Sequence, residues 1–221
     1  MLQLHYSPGN ASLIPHIVLE ELGVPFELKH VDRAVSAHKS PAYLAMNPNG
    51  LIPVLVDTAA SGAAGKPLVL YETAAVCLHL ADSHPDAALL PPLLGSAARA
   101  QAYKWLAWMN NTMQATLILY FYPERWGDAA AAAQVKAAAE AKVGAMLDQL
   151  DAELARHGGP WLLGDAFSLC DPYAFVLCRW TRGFSRPARD LPHLRPFLDR
   201  MLVRPAVQRV LAAEGLKAPW I

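Results

Sequence analysis

The sequence predicts an α/β half joined to an all-helical half, and three observations carry that expectation. Residues 1–84 alternate short strand-like and helix-like runs, nothing after Ser96 reads as strand, and a proline-rich stretch from His84 to Leu94 separates the two patterns. The expected domains are therefore 1–84 and 93–221 of the 221 residues, each of ordinary domain size.

The elements follow in order. Leu2 to Tyr6 is a short apolar strand, and a Ser-Pro-Gly-Asn-Ala-Ser turn leads from it into a helix over 13–22. That helix carries Ile14, Ile17, Val18 and Leu22 at helical spacing and stops at Gly23. A second strand spans 26–31 and a short helix 41–46. Strands over 53–57 and 67–71 are joined by a Gly/Ala/Ser-rich hairpin over 58–66, and a helix over 73–81 closes the half. The order βαβαββα gives a mixed sheet, parallel in its first part and antiparallel in its second, with helices over its faces. Four helical blocks make up the rest, at 96–120, 128–157, 168–181 and 193–214. In the second of these, Val135, Ala139, Val143, Met146, Leu147, Leu150 and Leu154 form one apolar stripe, and Asp128 caps the alanine run 129–133. Ser168-x-x-Asp171 reads as a capping box, with the alternative that Asp171 is the cap and Pro172 the first helical residue.

Composition narrows the function. Hydrophobic residues make up 54% and charged residues 17%, enough for a large core. A net charge of zero argues against nucleic acid as a partner. No apolar run reaches the ~18–20 residues that cross a bilayer, and no basic segment followed by an apolar one opens the chain. The expectation is a soluble cytoplasmic protein with no membrane partner. Cys77, Cys170 and Cys178 make neither a CxxC pair nor a metal spacing, so no metal is expected and the thiols read as buried and reduced.

Two helix N-termini, after Tyr6 and after Glu72, and a proline-bearing strand edge at Asn47-Pro48-Asn49-Gly50-Leu51-Ile52-Pro53 offer three places to hold a small anionic peptide. These segments resemble the glutathione transferases. The Tyr-Ser-Pro-Gly-x-x-Ser-Leu-x-Pro-His run at 6–16, the Asn-Pro-x-Gly-x-Ile-Pro loop at 47–53 and the pair Glu72-Thr73 are similar to that family's thioredoxin-like domain. Gly164 to Asp171 is similar to the folding motif of its helical domain, and the stretch 191–207 to its last helices. The resemblance is to bacterial members, near the beta class, over nearly the whole chain. It implies a thioredoxin-like domain followed by an all-α domain, a homodimer, glutathione as co-substrate and detoxification of a small apolar electrophile.

The chemistry needs little machinery. Lowering a thiol from about 8.5 by two pKa units takes about 2.7 kcal/mol. One hydrogen bond to the charged sulfur supplies roughly 1.5–3 kcal/mol, and a helix N-terminus adds about 0.3–1. Candidate donors are Ser12 first, Asn10 second and Tyr6 third, against the plain roles of Ser12 as helix cap and Asn10 as turn residue. By resemblance, Ile52 and a cis Pro53 face the cysteinyl unit, Glu72 and Thr73 hold the γ-glutamyl end, and His38 meets the glycyl carboxylate. Nine aromatic and methionine residues crowd the first long helix and its exit, and at least half are expected in the core. Among them Trp108, Met113 and Tyr120 are the candidate wall of the electrophile site. Two departures stand out. The position of the beta-class cysteine holds Ala11, and that of its histidine holds Gln114, so the mixed-disulfide mechanism does not carry over. A glutathione-dependent disulfide reductase or isomerase, and a non-catalytic partner-binding protein of the same fold, remain as alternatives.

Overall fold

The computed structural model describes residues 1–62, 65–91 and 95–221, in two compact units. The first comprises Met1–Ala88 with Arg204–Lys217, the second Leu89–Val203 with Ala218–Ile221. The expected domain division is corrected on one point: the last helix belongs to the first unit. Parts of the expected hairpin 58–66 and of the stretch 84–94, with the expected domain start at 93, fall on residues 63–64 and 92–94 and lie outside the described residues.

The first unit is built on a four-stranded sheet in the order β2-β1-β3-β4. Strand β1 (Leu2–Tyr6) runs parallel to β2 (Phe26–His30), antiparallel to β3 (Val54–Ser61), and β3 is antiparallel to β4 (Pro67–Tyr71). Strand β3 runs past its expected end at Asp57 through an irregularity, where Asp57 Oδ1 accepts from the Ala59 and Ala60 N–H groups at 2.9 and 3.3 Å. Period two sorts the strands onto two faces. Val54 meets Val31 and Tyr43 on one face, while Leu4 and Leu55 are fully buried on the other. The second face meets α1 (Leu13–Leu22) and α3 (Thr73–Ser83), as Tyr6 packs edge-on against His16 and Asp57 pairs with His79 at 3.3 Å. The short α2 (Pro41–Leu44), capped by Ser40, supplies Tyr43 to the first face.

Helix α1 is buried from Leu13 through Leu19 without a solvent face. A helix apolar all round needs cover on every side, and the carboxyl-terminal segment completes it. There α9 (Pro205–Ala213) lies against α1, with Arg204 forked onto Glu21 at 2.6 and 2.7 Å, Arg209 on Glu20, and His16 Nδ1 2.8 Å from Glu214 Oε1. The expected single block 193–214 is two helices, α8 (Leu194–Leu202) and α9, because Pro205 forces Arg204 into an extended conformation with ψ of 131°.

Among its described residues the second unit consists of helices and the loops that join them, apart from one isolated bridge between Trp161 and Gly164. A long helix runs through α4 (Ala97–Trp108), a π-turn at Met109–Gln114 and α5 (Ala115–Phe121). Helix α6 (Ala129–His157) shows the expected stripe, buried from Ala139 to Leu154, and Asp128 Oδ1 caps it by accepting from the Ala130 and Ala131 N–H groups. Helix α7 (Cys170–Trp180) is the centre of the unit, buried from Cys170 through Arg179. Its start is the capping box. The Ser168 N–H donates to Asp171 Oδ2 at 2.6 Å, Ser168 Oγ accepts from the Cys170 N–H at 3.2 Å, and Asp171 Oδ1 also takes the Leu162 N–H at 2.8 Å. All three cysteines are free and buried, and burial pushes their thiols up, that of Cys178 to about 12.

Candidate active site

Sheet register gathers the candidate segments of the first unit at one end. His5 stands opposite Val54, Val54 opposite Tyr71, and Tyr6 opposite His30. The loop after β1, the Ile52-Pro53 approach to β3, the Glu72-Thr73 entry to α3 and the 31–46 segment after β2 therefore all leave or enter the sheet at that end.

The loop after β1 is fixed by short contacts. Gly9 has φ of 70°, and its N–H donates to Glu214 Oε2 at 2.8 Å. Ser12 is fully buried; its Oγ donates to the Ser7 carbonyl at 3.1 Å and accepts from the Ser7 N–H at 3.2 Å. Its one proton is thus committed inside the loop, and the side chain makes no helix-cap bond either. Asn10 is half-buried, with a side-chain amide that has no partner among the described residues, like the Ala11 and Ser12 backbone N–H groups beside it. The ring of Tyr6 is held between His16 and His30, at centroid distances of 6.2 and 5.6 Å.

The Ile52–Pro53 bond is cis, as the resemblance implies. Asn47 builds the approach to it: Oδ1 accepts from the Asn49 N–H, and Nδ2, with the Tyr43 hydroxyl, donates to the Leu51 carbonyl. The Ile52 N–H and carbonyl have no partner among the described residues. Glu72 is exposed with φ of 71°, a left-handed conformation that costs a non-glycine residue of order 1–3 kcal/mol. Thr73 is buried as the first residue of α3, and its hydroxyl has no partner among the described residues. His38 is half-buried in the turn Ala37–Lys39. Lys39 reaches from the same turn to the Asn49 carbonyl at 3.2 Å, across Gly50, where a side chain would collide with it.

In the second unit, Trp108 is half-buried and edge-on to Trp105, with ring centroids 5.3 Å apart. Tyr120 is half-buried, with its ring 4.3 Å from that of Phe184 and Lys136 Nζ 4.9 Å away. Burial and then the Glu140 carboxylate push its phenol up, so it is neutral at ordinary pH. Met113 is fully buried. Among the described residues no cluster of three or more His, Cys, Asp or Glu side chains is arranged to hold a metal.

Residues 11–83 match the family model "Glutathione S-transferase, N-terminal domain", and residues 108–205 match "Glutathione S-transferase, C-terminal domain". The chain is 32% identical to the glutathione S-transferase GstA of Escherichia coli O157:H7, over 98% of this chain and all of that protein. The chain belongs to the glutathione S-transferase family. A Sulfitobacter glutathione transferase homologue crystallised with glutathione superimposes with a TM-score of 0.85 at 29% identity, over 98% of this chain and 99% of the other. A Burkholderia graminis glutathione transferase with two glutathione molecules per subunit gives 0.82 at 26% identity, over 98% and 89%.

For a glutathione S-transferase, three points in the sequence expectations need correction. The Ser12 hydroxyl, ranked first as donor, is already bonded on both sides to the Ser7 backbone. Met113 lies in the core rather than in a wall that a ligand touches. Of the nine aromatic and methionine residues near the long helix only Trp105, Met109 and Met113 are buried, at successive spacings of four, while Tyr103, Phe121 and Trp126 are exposed. Lys39 and Glu214 went unnoticed in the sequence. A lysine one residue from the expected His38 was the available signal for the first; nothing local signals the second.

Proposed function

We propose that the chain is a glutathione transferase that seats glutathione along the gathered sheet end of the first unit and adds its thiolate to a small apolar electrophile. One observation carries this reading: the free Ile52 backbone edge and two helix entries converge at that end by sheet register. In this role Ile52 pairs with the cysteinyl backbone, and Thr73 with Glu72 takes the γ-glutamyl carboxylate and amine. Lys39, with His38, meets the glycyl carboxylate. Asn10 Nδ2 and the Ala11 N–H donate to the sulfur at the start of α1, and together they supply the roughly 2.7 kcal/mol needed for a two-unit shift. Ala11 offers no sulfur, so no mixed disulfide forms with the protein. Trp108 and Tyr120 border the electrophile, and the reading includes a cytoplasmic homodimer acting in detoxification.

The pH dependence of kcat/KM for conjugation to a model aryl halide tests the assignment. Asn10→Ala is expected to raise the kinetic pKa of bound glutathione by about one to two units, while Ser12→Ala leaves it in place. The opposite pattern returns the role to Ser12. A second reading is favoured by the two-glutathione neighbour. In it the bound thiolate attacks a substrate disulfide, expels one thiolate and forms a mixed disulfide, which a second glutathione resolves to glutathione disulfide and the other thiol. Turnover of a model mixed disulfide without aryl-halide conjugation would select it. Failure to bind glutathione in a calorimetric titration would select a non-catalytic role.

A further inference from the structure

Tyr173 is fully buried at the start of α7, and its hydroxyl lies 2.8 Å from Asn110 Oδ1 and 2.9 Å from Gln114 Oε1. Both amides belong to the π-turn of the long helix, a kind of irregularity that recurs at functional positions. A phenol has one proton and donates to one of these oxygens only. The other amide completes the cluster by rotating its NH2 onto the phenol oxygen, which frees its own carbonyl. Whichever amide rotates, the pair keeps an NH2 donor and a carbonyl with no partner among the described residues. Asn110 and Gln114 are half-buried, so these groups are neither fully hydrated nor sealed in the core. The helix around them is apolar, with Met109, Met113 and Leu117 fully buried and Trp108 half-buried.

One acceptor satisfies a tyrosine hydroxyl, and a second amide adds nothing that holding α7 to the long helix requires. A ligand lying on this spot must match an NH2 donor. A hydrocarbon would cover it without a partner and forfeit its hydration, whereas a carbonyl or nitro oxygen would replace the lost water. We infer that Asn110 and Gln114, held as a pair by Tyr173, are specificity residues that select electrophiles carrying an acceptor oxygen on an aromatic or apolar body. Tyr173 is the positioning residue. This narrows the electrophile class and rests on the reading that the second unit receives the electrophile.

The test compares equilibrium binding of acetophenone and ethylbenzene, unreactive and nearly isosteric molecules that differ in one carbonyl oxygen. Wild type, Asn110→Leu, Gln114→Leu and Tyr173→Phe are titrated, with the exposed Gln101→Leu on α4 as control. Each leucine variant is expected to shift the ratio of the two dissociation constants about tenfold towards ethylbenzene, about 1.4 kcal/mol. Tyr173→Phe shifts it a few-fold in the same direction, and the control leaves it unchanged. A loss of packing alone would weaken both probes together and leave the ratio fixed. A ratio unmoved in both leucine variants overturns the inference. Glutathione titration of the same proteins separates the two claims. A wild type that binds no glutathione but whose ratio still depends on Gln114 rejects the transferase reading and keeps the amide pair as a ligand site.

Discussion

The carboxylate of Glu72 is exposed on a residue whose backbone is held left-handed at the mouth of α3. Removing the carboxylate leaves that backbone in place, so Glu72→Ala is expected to weaken glutathione affinity by about tenfold to a hundredfold, from the roughly 1.5–3 kcal/mol of a charge-assisted bond. Calorimetry reads the affinity, and an unchanged melting temperature separates binding from folding. His5 carries a pH prediction. Burial, and then the Lys29 ammonium opposite it on β2, hold its imidazole below the usual ~6.5. The unfolded chain therefore takes up the His5 proton more readily than the folded one. Stability from this site is complete above about pH 6.5 and is lost as pH falls through the folded pKa, at a slope of up to about 1.4 kcal/mol per pH unit. Denaturant midpoints measured from pH 8 to 5 should fall in wild type and fall less in His5→Gln. At this scale the sequence reveals residue types but not which hydrogen bonds they have already made. The sequence ranks Ser12 above Asn10 as donor, and only the Ser7 backbone, which occupies both functions of the Ser12 hydroxyl, reverses that order.

Elements whose signals are local were the most legible. Asp128 and Ser168-x-x-Asp171 announce helix starts because a cap and its donors lie within three residues of each other, and the α6 stripe announces one buried face. Asp171 does more than the motif implies, since its second oxygen ties the Leu162 turn to α7. Asp171→Ala strips acceptors from buried donors and is expected to cost about 3 kcal/mol or more. Thermal unfolding should show this as a fall of at least ~6 °C for a chain of this size. The π-turn was not legible, because Trp105, Met109, Met113 and Leu117 keep through it the spacing of four that a regular helix would show. Pro205 marks the division of α8 from α9 in the sequence, while the apolar periodicity continues through it.

The assembly of the whole chain was the least legible. The contacts of Glu214 with Gly9 and His16 join positions about two hundred residues apart, and no periodicity or motif encodes that separation. Helix α1 did carry a hint, since its unbroken run Leu13–Leu19 has too many buried positions for a helix covered on one side. A chain ending at Val203 is expected to lose amide-exchange protection in α1 and the 7–12 loop, while α6 and α7 stay protected. Loss of protection in α7 instead would show that α9 supports the other unit. Because residues 204–217 complete the first unit, a polypeptide leaving the ribosome has its sheet, α1 and α3 in hand long before the piece that closes over them. The half that is translated first is the half whose completion waits for the last helix to emerge. Until then the buried flank of α1 is open to whatever else binds nascent apolar surface.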